Sequence, residues 1–137
     1  MNTHSQKIYD TIVVGAGISG LSAAYHLKKF SPQAEFLVLE GRDNFGGTWD
    51  FFKYPGIRSD SDMHTLGFSF KPWNSRKFIA DGPAIMNYLD ETIKENNLKD
   101  LIKFNMHIES ASWNSIDSLW ELSINNIKLN KLCFNYF

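Results

Sequence analysis

The sequence has very little sulfur chemistry and no metal-binding pattern. Cys133 is the one cysteine in 137 residues, so neither an internal disulfide nor a Cys-x-x-Cys redox pair is possible. The four histidines, His4, His26, His64 and His107, do not have the spacing of metal ligands. We therefore expect no metal site and a reduced, cytoplasmic setting.

Strong net charge and long apolar runs are also missing. The net charge of -1 gives no reason to expect nucleic acid or an anionic membrane as partner. The apolar run at Ile12–Val14 is far too short for a membrane span or a signal peptide, so no transmembrane segment is expected. A hydrophobic content of 43% fits one soluble domain. The aromatic content of 15% is high, and we expect part of it to pack on absent segments.

The first forty residues predict a βαβ unit. Residues 8–14 are β-branched and aromatic, which indicates a buried strand ending at Gly15. An amphipathic helix is predicted from Ile18 to Phe30, where Ser31-Pro32 stops it. The apolar run at 35–40 completes the unit, and its two strands should lie parallel and adjacent. The predicted fold class is α/β and Rossmann-like.

The rest of the chain is less regular. No periodicity is visible from Gly41 to Pro72, and a loop of this length is usually functional. A helix is predicted from Pro83 to Asn96-Asn97, with Ile85, Met86, Leu89 and Ile93 as its buried stripe. Residues 101–104 are expected to form a short strand, and alternation on both sides of 114–118 predicts a β-hairpin. The last dozen residues show no clear pattern.

The glycine motif Gly15-Ala16-Gly17-Ile18-Ser19-Gly20 lies between the predicted strand and helix. In such a motif Gly15 makes the tight turn, Gly17 lets the backbone approach a pyrophosphate, and Gly20 allows close helix–strand packing. The helix N-terminus then favours the bound anion. Glu40 ends the second strand, where an acid accepts hydrogen bonds from a ribose diol. The motif predicts an adenine dinucleotide site and leaves open whether FAD or NAD fills it.

A second glycine motif, Gly46-Gly47-Thr48-Trp49, follows Glu40. Its paired glycines leave the backbone bare enough for a bulky ligand, while Thr48 offers a hydroxyl and Trp49 an apolar wall. E-x-x-x-x-x-G-G-T-W after G-A-G-x-S-G resembles the FAD-binding start of the class B flavoprotein monooxygenases, which include flavin-containing and Baeyer–Villiger monooxygenases. Amine oxidases carry arginine at the position of Thr48, and disulfide reductases need a cysteine pair, so both families are disfavoured.

The segment Tyr54–Met63, Y-P-G-I-R-S-D-S-D-M, extends the resemblance to the Baeyer–Villiger subset that also oxygenates sulfides. The similarity runs almost without gaps from Asp10 to about Trp73 and more loosely to about Trp120. Besides the glycines Gly15, Gly17, Gly20 and Gly47, the resemblance implies that FAD is lined by Ser19, Glu40, Thr48, Trp49, Asp50, Phe51 and Asp60, with the backbone of Ile108 at its adenine end. Arg58, Ser59 and Asp60 would face the nicotinamide nucleotide.

Arg58 and Asp60 are also the candidates for catalysis. A guanidinium such as that of Arg58 binds a phosphate or an oxyanion with two parallel hydrogen bonds, and Asp60 could hold it in place. The alternative is a solvated surface pair of little energetic value. That alternative is preferred for Asp62 and His64. Packing is the expected role of the aromatic residues Phe51, Phe52, Phe68, Phe70 and Trp73.

The resemblance implies an FAD-dependent, NADPH-using monooxygenase that acts on a small organic substrate with O₂. It would insert one oxygen atom into a ketone, or place it on a sulfide or amine, through a flavin C4a-(hydro)peroxide. Members of this family are longer: a second G-x-G-x-x-G domain and an F-x-G-x-x-x-H fingerprint would follow residue 137, and this missing C-terminal half is expected to be needed for activity.

Residues 1–124 are therefore interpreted as the N-terminal part of an FAD-binding domain, incomplete relative to the family's two-dinucleotide-domain fold. Residues 125–137 are interpreted as an atypical tail produced by truncation or a frameshift. We expect the chain to be inactive alone. The alternatives are a non-catalytic FAD-binding fragment and a decayed gene product.

Overall fold

The computed structural model describes residues 7–125 and the backbone of residues 131–135. The predicted strand at 8–14 is divided at Asp10 into β1 (Ile8–Tyr9) and β2 (Thr11–Val14), which belong to different sheets. The N–H groups of Asp10 and Thr11 both donate to the Glu35 carbonyl, at 2.8 and 3.4 Å. In return the Glu35 N–H donates to Asp10 Oδ2 at 2.8 Å. These hydrogen bonds between Asp10 and Glu35 occur where the strand is divided, so the prediction of one continuous strand is wrong.

The βαβ unit is confirmed. Helix α1 (Ile18–Phe30) connects β2 to β3 (Phe36–Leu39), and the two strands are parallel neighbours from the pair Thr11–Phe36 to the pair Val14–Leu39. Leu21 and Ala24 of α1 are completely buried. The short strand β4 (Ile102–Lys103) adds to β3 in parallel, so the sheet order is β2-β3-β4.

The aperiodic stretch contains two single-turn helices, α2 (Thr48–Phe51) and α3 (Met63–Leu66). Helix α4 (Gly82–Glu95) follows, and its N-cap is Asp81, whose side chain accepts a hydrogen bond from Ala84 N at 2.9 Å. As predicted, α4 buries Ile85, Leu89 and Ile93; Met86 is half-buried and lies against Gly46. The main core therefore lies between the parallel sheet and the helices α1 and α4.

The predicted hairpin is confirmed as β5 (His107–Asn114) and β6 (Leu119–Asn125), with Trp113 opposite Trp120. Strand β7 (Lys131–Asn135), for which the sequence shows no pattern, pairs antiparallel with β6 and parallel with β1. The second sheet therefore has the order β1-β7-β6-β5. Of the interpreted tail, residues 126–130 and 136–137 lie outside the described residues, as do the side chains of 131–135. No helix among the described residues has both the length and the apolar character needed to cross a membrane.

Candidate functional site

The first glycine motif forms the turn between β2 and α1. Gly15 has a φ of +95°, a conformation that side chains rarely adopt, and its N–H donates to the Leu39 carbonyl at 2.8 Å. A Cβ added to Gly20 would overlap the Gly15 carbonyl oxygen. Gly15 is therefore required by backbone conformation, and Gly20 by the close packing of helix on turn.

The two glycine motifs meet in space. Gly46 N donates to the Ala16 carbonyl at 2.9 Å, and a Cβ on Gly47 would lie 3.2 Å from Gly17 Cα. Between them is a groove of about 290 Å³. The predicted binding residues that line it are Gly15, Gly17, Ser19, Gly20, Gly47, Thr48 and Trp49.

The N-terminus of α1 opens into this groove. The N-cap residue Gly17 has no side chain to cap the helix, so within residues 7–125 the amide groups of its first turn make no capping hydrogen bond. Gly17 itself has an ordinary φ of -78°, and a Cβ there would meet only Gly47, at 3.7 Å from its Cα. The first turn thus offers amide donors and a positive helix dipole where a phosphate group would bind.

Glu40 is buried beside the glycine turn, at the end of β3. Its Oε2 accepts from Ala16 N at 2.8 Å, and its Oε1 accepts from Arg42 N at 3.0 Å. A carboxylate oxygen accepts about two hydrogen bonds, so each keeps capacity for a ligand hydroxyl. The carboxylate both stabilises the turn and is suited to bind a diol.

The predicted adenine end lies near Glu40. The Glu40 carbonyl accepts from Met106 N at 2.9 Å, just before β5 begins. His107 lies against Gly41, since its Nδ1 would be 3.2 Å from a Cβ on that glycine. Ile108, the next residue of β5, is half-buried in a cluster with Leu39 and Ile124. The structure thus brings the strand that contains Ile108 next to the Glu40 segment.

Asp50 and Phe51 lie in α2, and both contact Arg42. Asp50 is buried, and its carboxylate forms an ion pair with Arg42 and accepts from Asn44 Nδ2 at 2.8 Å. Phe51 is exposed, and the Arg42 guanidinium lies 5.1 Å from its ring centroid. The sequence interpretation missed Arg42 and Asn44. The sequence holds no local signal for them, because the need for nearby donors arises from the burial of Asp50, which only the fold shows.

The segment Tyr54–Met63 contacts the residues that lead into α4. The backbone of Arg58 forms an antiparallel bridge with Asp81. Ser59 is buried: its N–H donates to the Ala80 carbonyl at 2.8 Å, and its Oγ accepts from Ala80 N at 3.1 Å. The side chains of Arg58 and Asp60 are exposed, and neither forms an ion pair within residues 7–125. Ser59 thus holds the loop in place, while the two charged residues face outwards.

Asp62 and His64 lie at the surface, as preferred for them, but no ion pair joins their side chains within residues 7–125. Asp62 is the N-cap of α3, where its carboxylate accepts from Thr65 N and Thr65 Oγ1, both at 2.9 Å. These bonds to Thr65 lower the pKa of Asp62 below its ordinary value. His64 is exposed, with its ring 5.3 Å from that of Phe78. The spacing D-x-x-T is a helix-cap signal that the sequence interpretation did not use.

Three of the aromatic residues expected to pack do so. Phe68 is buried, and the half-buried Phe70 and Trp73 pack on the main core. Phe51 and Phe52, in contrast, are exposed and contact each other edge to face at 4.9 Å.

A second cavity of about 530 Å³ lies between α2, the segment 52–57 and the start of α4. Trp49 lines both this cavity and the groove, so the two are neighbours. Within the described residues, no group of three or more His, Cys, Asp or Glu side chains could hold a metal ion. The site consists of backbone amides, a few carboxylates and aromatic walls.

Comparison with known proteins places this geometry in a family. Residues 13–92 match the model of the NAD(P)-binding Rossmann-like domain. The FAD-containing monooxygenase EthA of Mycolicibacterium smegmatis is 52% identical over 116 residues, which are 85% of this chain and 24% of that protein. The chain thus spans about a quarter of the length of the curated relatives it matches.

Solved structures show the same fold. An oxidised steroid monooxygenase bound to NADP superposes with a TM-score of 0.84 at 27% identity, covering 93% of this chain and 25% of that one. A cyclohexanone monooxygenase from Rhodococcus sp. Phi1 bound to NADP+ also gives 0.84 at 27% identity, covering 96% and 25%. The described fold is therefore that of the corresponding quarter of these monooxygenases.

Proposed function

Because the chain belongs to the NAD(P)-binding Rossmann-like domain family, we propose that it forms the FAD-binding N-terminal part of an NADPH-using monooxygenase. The observation that carries this proposal is the single groove formed by two glycine motifs that begin 31 residues apart, at Gly15 and Gly46, with α1 at one side and Glu40 nearby. A groove with bare backbone on both walls suits a pyrophosphate that must approach the chain closely. The names of relatives point to FAD as the dinucleotide.

Each part of the groove has a task in binding FAD. The first-turn amides of α1 bind the pyrophosphate, and the Glu40 carboxylate accepts hydrogen bonds from the ribose diol. Thr48 and Trp49 line the groove, and Trp49 also forms an apolar wall of the second cavity. FAD, when bound, supplies the redox chemistry that takes a hydride from NADPH and transfers one atom of O₂ to the substrate.

The segment Tyr54–Met63 is proposed to face the nicotinamide nucleotide. The exposed Arg58 guanidinium is available for a phosphate or carboxamide oxygen, and the exposed Asp60 carboxylate for a donor on either cofactor. Ser59 contributes by fixing the loop to Ala80, so that its neighbours keep their positions. These roles make Arg58 and Asp60 binding residues first and catalytic candidates second.

The reaction proposed for the whole protein is insertion of oxygen into a ketone, or its transfer to a sulfide or amine. Residues 1–124 would form the start of the FAD domain, and the remaining domains would hold the organic substrate. This chain is proposed to be inactive alone. The cytoplasmic location and the absence of a nucleic-acid partner stay predictions.

Binding of FAD to the chain tests the proposal. We expect saturable quenching of tryptophan fluorescence and a shifted visible flavin band, because Trp49 lines the groove. The Gly17→Val variant should bind FAD at least about tenfold more weakly than the unchanged chain, since the valine side chain would occupy space that the pyrophosphate needs. Its φ of -78° tolerates valine, so the fold should remain intact.

The matched control is Ala111→Val, which also adds apolar bulk, on an exposed position of β5 away from the groove. It should bind FAD as the unchanged chain does. The absence of any FAD binding by the unchanged chain, or equal binding by Gly17→Val, would contradict the proposal.

A further inference from the structure

Arg42 lies beside the carboxylate that is proposed to hold the adenosine ribose. It follows Glu40 by two residues, and its N–H donates to Glu40 Oε1 at 3.0 Å. In G-x-G-x-x-G sites an acid at the strand end binds a free 2′-hydroxyl, whereas a nearby arginine accommodates the 2′-phosphate of NADP. The chain therefore carries, side by side, two residues with opposite nucleotide preferences.

The Arg42 side chain is already engaged elsewhere. Its guanidinium forms an ion pair with Asp50, Nη1 donates to the Gly47 carbonyl at 3.4 Å, and the Phe51 ring lies 5.1 Å away. The Asp50 side chain is only 7% exposed, compared with 37% for Arg42. Removing the partner of a buried carboxylate is costly, so this ion pair restrains the guanidinium more than a surface pair would.

Asp50 is itself held in position. Asn44 Nδ2 donates to its Oδ1 at 2.8 Å, and its own N–H donates to the Gly47 carbonyl at 3.2 Å. The other nearby cation is Lys53, 3.7 Å from Oδ1, with a side chain 76% exposed. Asp50 is thus a fixed anchor, and Arg42 is its principal cationic partner.

We propose that Asp50 determines the nucleotide specificity of the groove by keeping the Arg42 guanidinium away from the ribose. Glu40 alone then meets the ribose, and the groove accepts FAD but rejects a 2′-phosphorylated dinucleotide such as NADP. The inference rests on the proposed FAD site. A protein that uses both FAD and NADPH needs this discrimination, because both cofactors contain an ADP moiety.

The test compares the affinities of ADP and 2′-phospho-ADP, each measured by competition with FAD. The unchanged chain should prefer ADP. Asp50→Asn keeps the shape of the side chain but removes its charge, which releases Arg42. The preference should then shift by about tenfold or more toward 2′-phospho-ADP, since a charge-assisted bond to phosphate becomes possible. The double variant Asp50→Asn/Arg42→Gln should return to the preference of the unchanged chain.

Lys53→Gln is the matched control, because it removes a charge next to Asp50 but leaves the ion pair with Arg42 in place. Its nucleotide preference should not change. If Asp50→Asn does not fold, Arg42→Gln provides the second measurement. It should keep the preference for ADP, because the guanidinium takes no part in ligand binding.

The outcomes separate the two proposals. If Asp50→Asn still prefers ADP over 2′-phospho-ADP as strongly as the unchanged chain, the proposed role of Asp50 is wrong. The proposed FAD site is not affected by that result. A changed preference in Arg42→Gln likewise shows that Arg42 already contacts the ligand, which overturns the inference. An unchanged chain that binds neither ADP nor FAD overturns the proposed function itself.

Discussion

The Tyr88 hydroxyl holds the end of the long loop against α4. It accepts a hydrogen bond from Phe68 N at 2.8 Å and donates one to the Lys71 carbonyl at 2.6 Å. The ring is buried, with the Phe68 and Trp73 rings 5.6 and 5.5 Å away. One side chain thus satisfies two backbone groups of a segment that has no regular structure of its own.

Tyr88→Phe should destabilise the chain by about 1–3 kcal/mol, because it leaves the Phe68 N–H and the Lys71 carbonyl without their partner. Urea denaturation measures the change. The control is Tyr25→Phe, which removes a hydroxyl that accepts a hydrogen bond from the exposed Lys29 ammonium, its one partner among the described residues. It should change stability by no more than about 0.5 kcal/mol. Equal effects of the two substitutions would contradict this role of Tyr88.

The stability difference between the unchanged chain and Tyr88→Phe should depend on pH. Burial raises the pKa of Tyr88 above its ordinary value of 10.0. The folded chain therefore favours the neutral phenol, and the contribution of Tyr88 to stability is complete below pH 10.0 and lost as the pH rises through the raised value. The difference in free energy of unfolding between the unchanged chain and Tyr88→Phe should accordingly become smaller in alkaline solution.

At the scale of elements, short helices divide the aperiodic loop and fix its path. Helix α3 has only four residues and depends on Asp62 for its N-terminal hydrogen bonds. Ser59 then ties the preceding segment to Ala80, immediately before α4. A long loop without hydrophobic periodicity is thus ordered by caps and side-chain hydrogen bonds, together with the burial of single apolar side chains such as Met63 and Phe68.

Asp62→Ala should lower the urea midpoint at neutral pH, because α3 loses its cap. The hydrogen bonds from Thr65 lower the pKa of Asp62 below 3.8. The cap therefore contributes fully above pH 3.8, and the contribution is lost as the pH falls through the lowered value. The midpoints of the variant and the unchanged chain should converge in acid.

Asp60→Ala serves as the control for this measurement. Asp60 lies two residues before Asp62 and is exposed without an ion pair in the part of the chain described, so its removal should leave the midpoint unchanged. If the urea midpoints of Asp62→Ala and the unchanged chain still differ in strong acid, the carboxylate charge of Asp62 is not what stabilises α3.

At the scale of the whole molecule, several large apolar side chains are exposed around the second cavity. Phe52 and Tyr54 line it with exposures of 48% and 58%, and the neighbouring Phe51 is 64% exposed. Clusters of exposed aromatic residues are typical of surfaces that pack against further protein. Together with the quarter-length match to relatives, this supports the proposal that activity requires additional domains.

A chimera tests that proposal. Residues 1–124 of this chain, joined to the corresponding remainder of the Mycolicibacterium smegmatis relative, should bind FAD and oxidise NADPH in the presence of O₂. The 137-residue chain should not oxidise NADPH. The chimera with Gly17→Val is the control and should lose flavin. NADPH oxidation by the chain alone would contradict the proposal that activity requires additional domains. A flavin-loaded chimera that cannot oxidise NADPH would contradict the proposal that residues 1–124 form the FAD-binding part of such an enzyme.

Much of the site could be predicted from the sequence because its signals are local. The turn at Gly15 needs a positive φ, the spacing to Gly20 sets helix packing, and the βαβ unit follows from periodicity over short windows. The hairpin around Trp113 and Trp120 was predictable for the same reason. Each of these features depends on residues that are close together along the chain.

The rest depended on contacts between segments far apart in sequence. Asp10 exchanges hydrogen bonds with Glu35 where the first strand is divided, and β7 pairs with the edges of β1 and β6. By itself the sequence determined a dinucleotide turn and its family resemblance. Only the tertiary structure decided that Asp50 binds Arg42 and that the two glycine motifs form one groove. Burial and pairing of charges depend on which surfaces meet, and no local pattern encodes that.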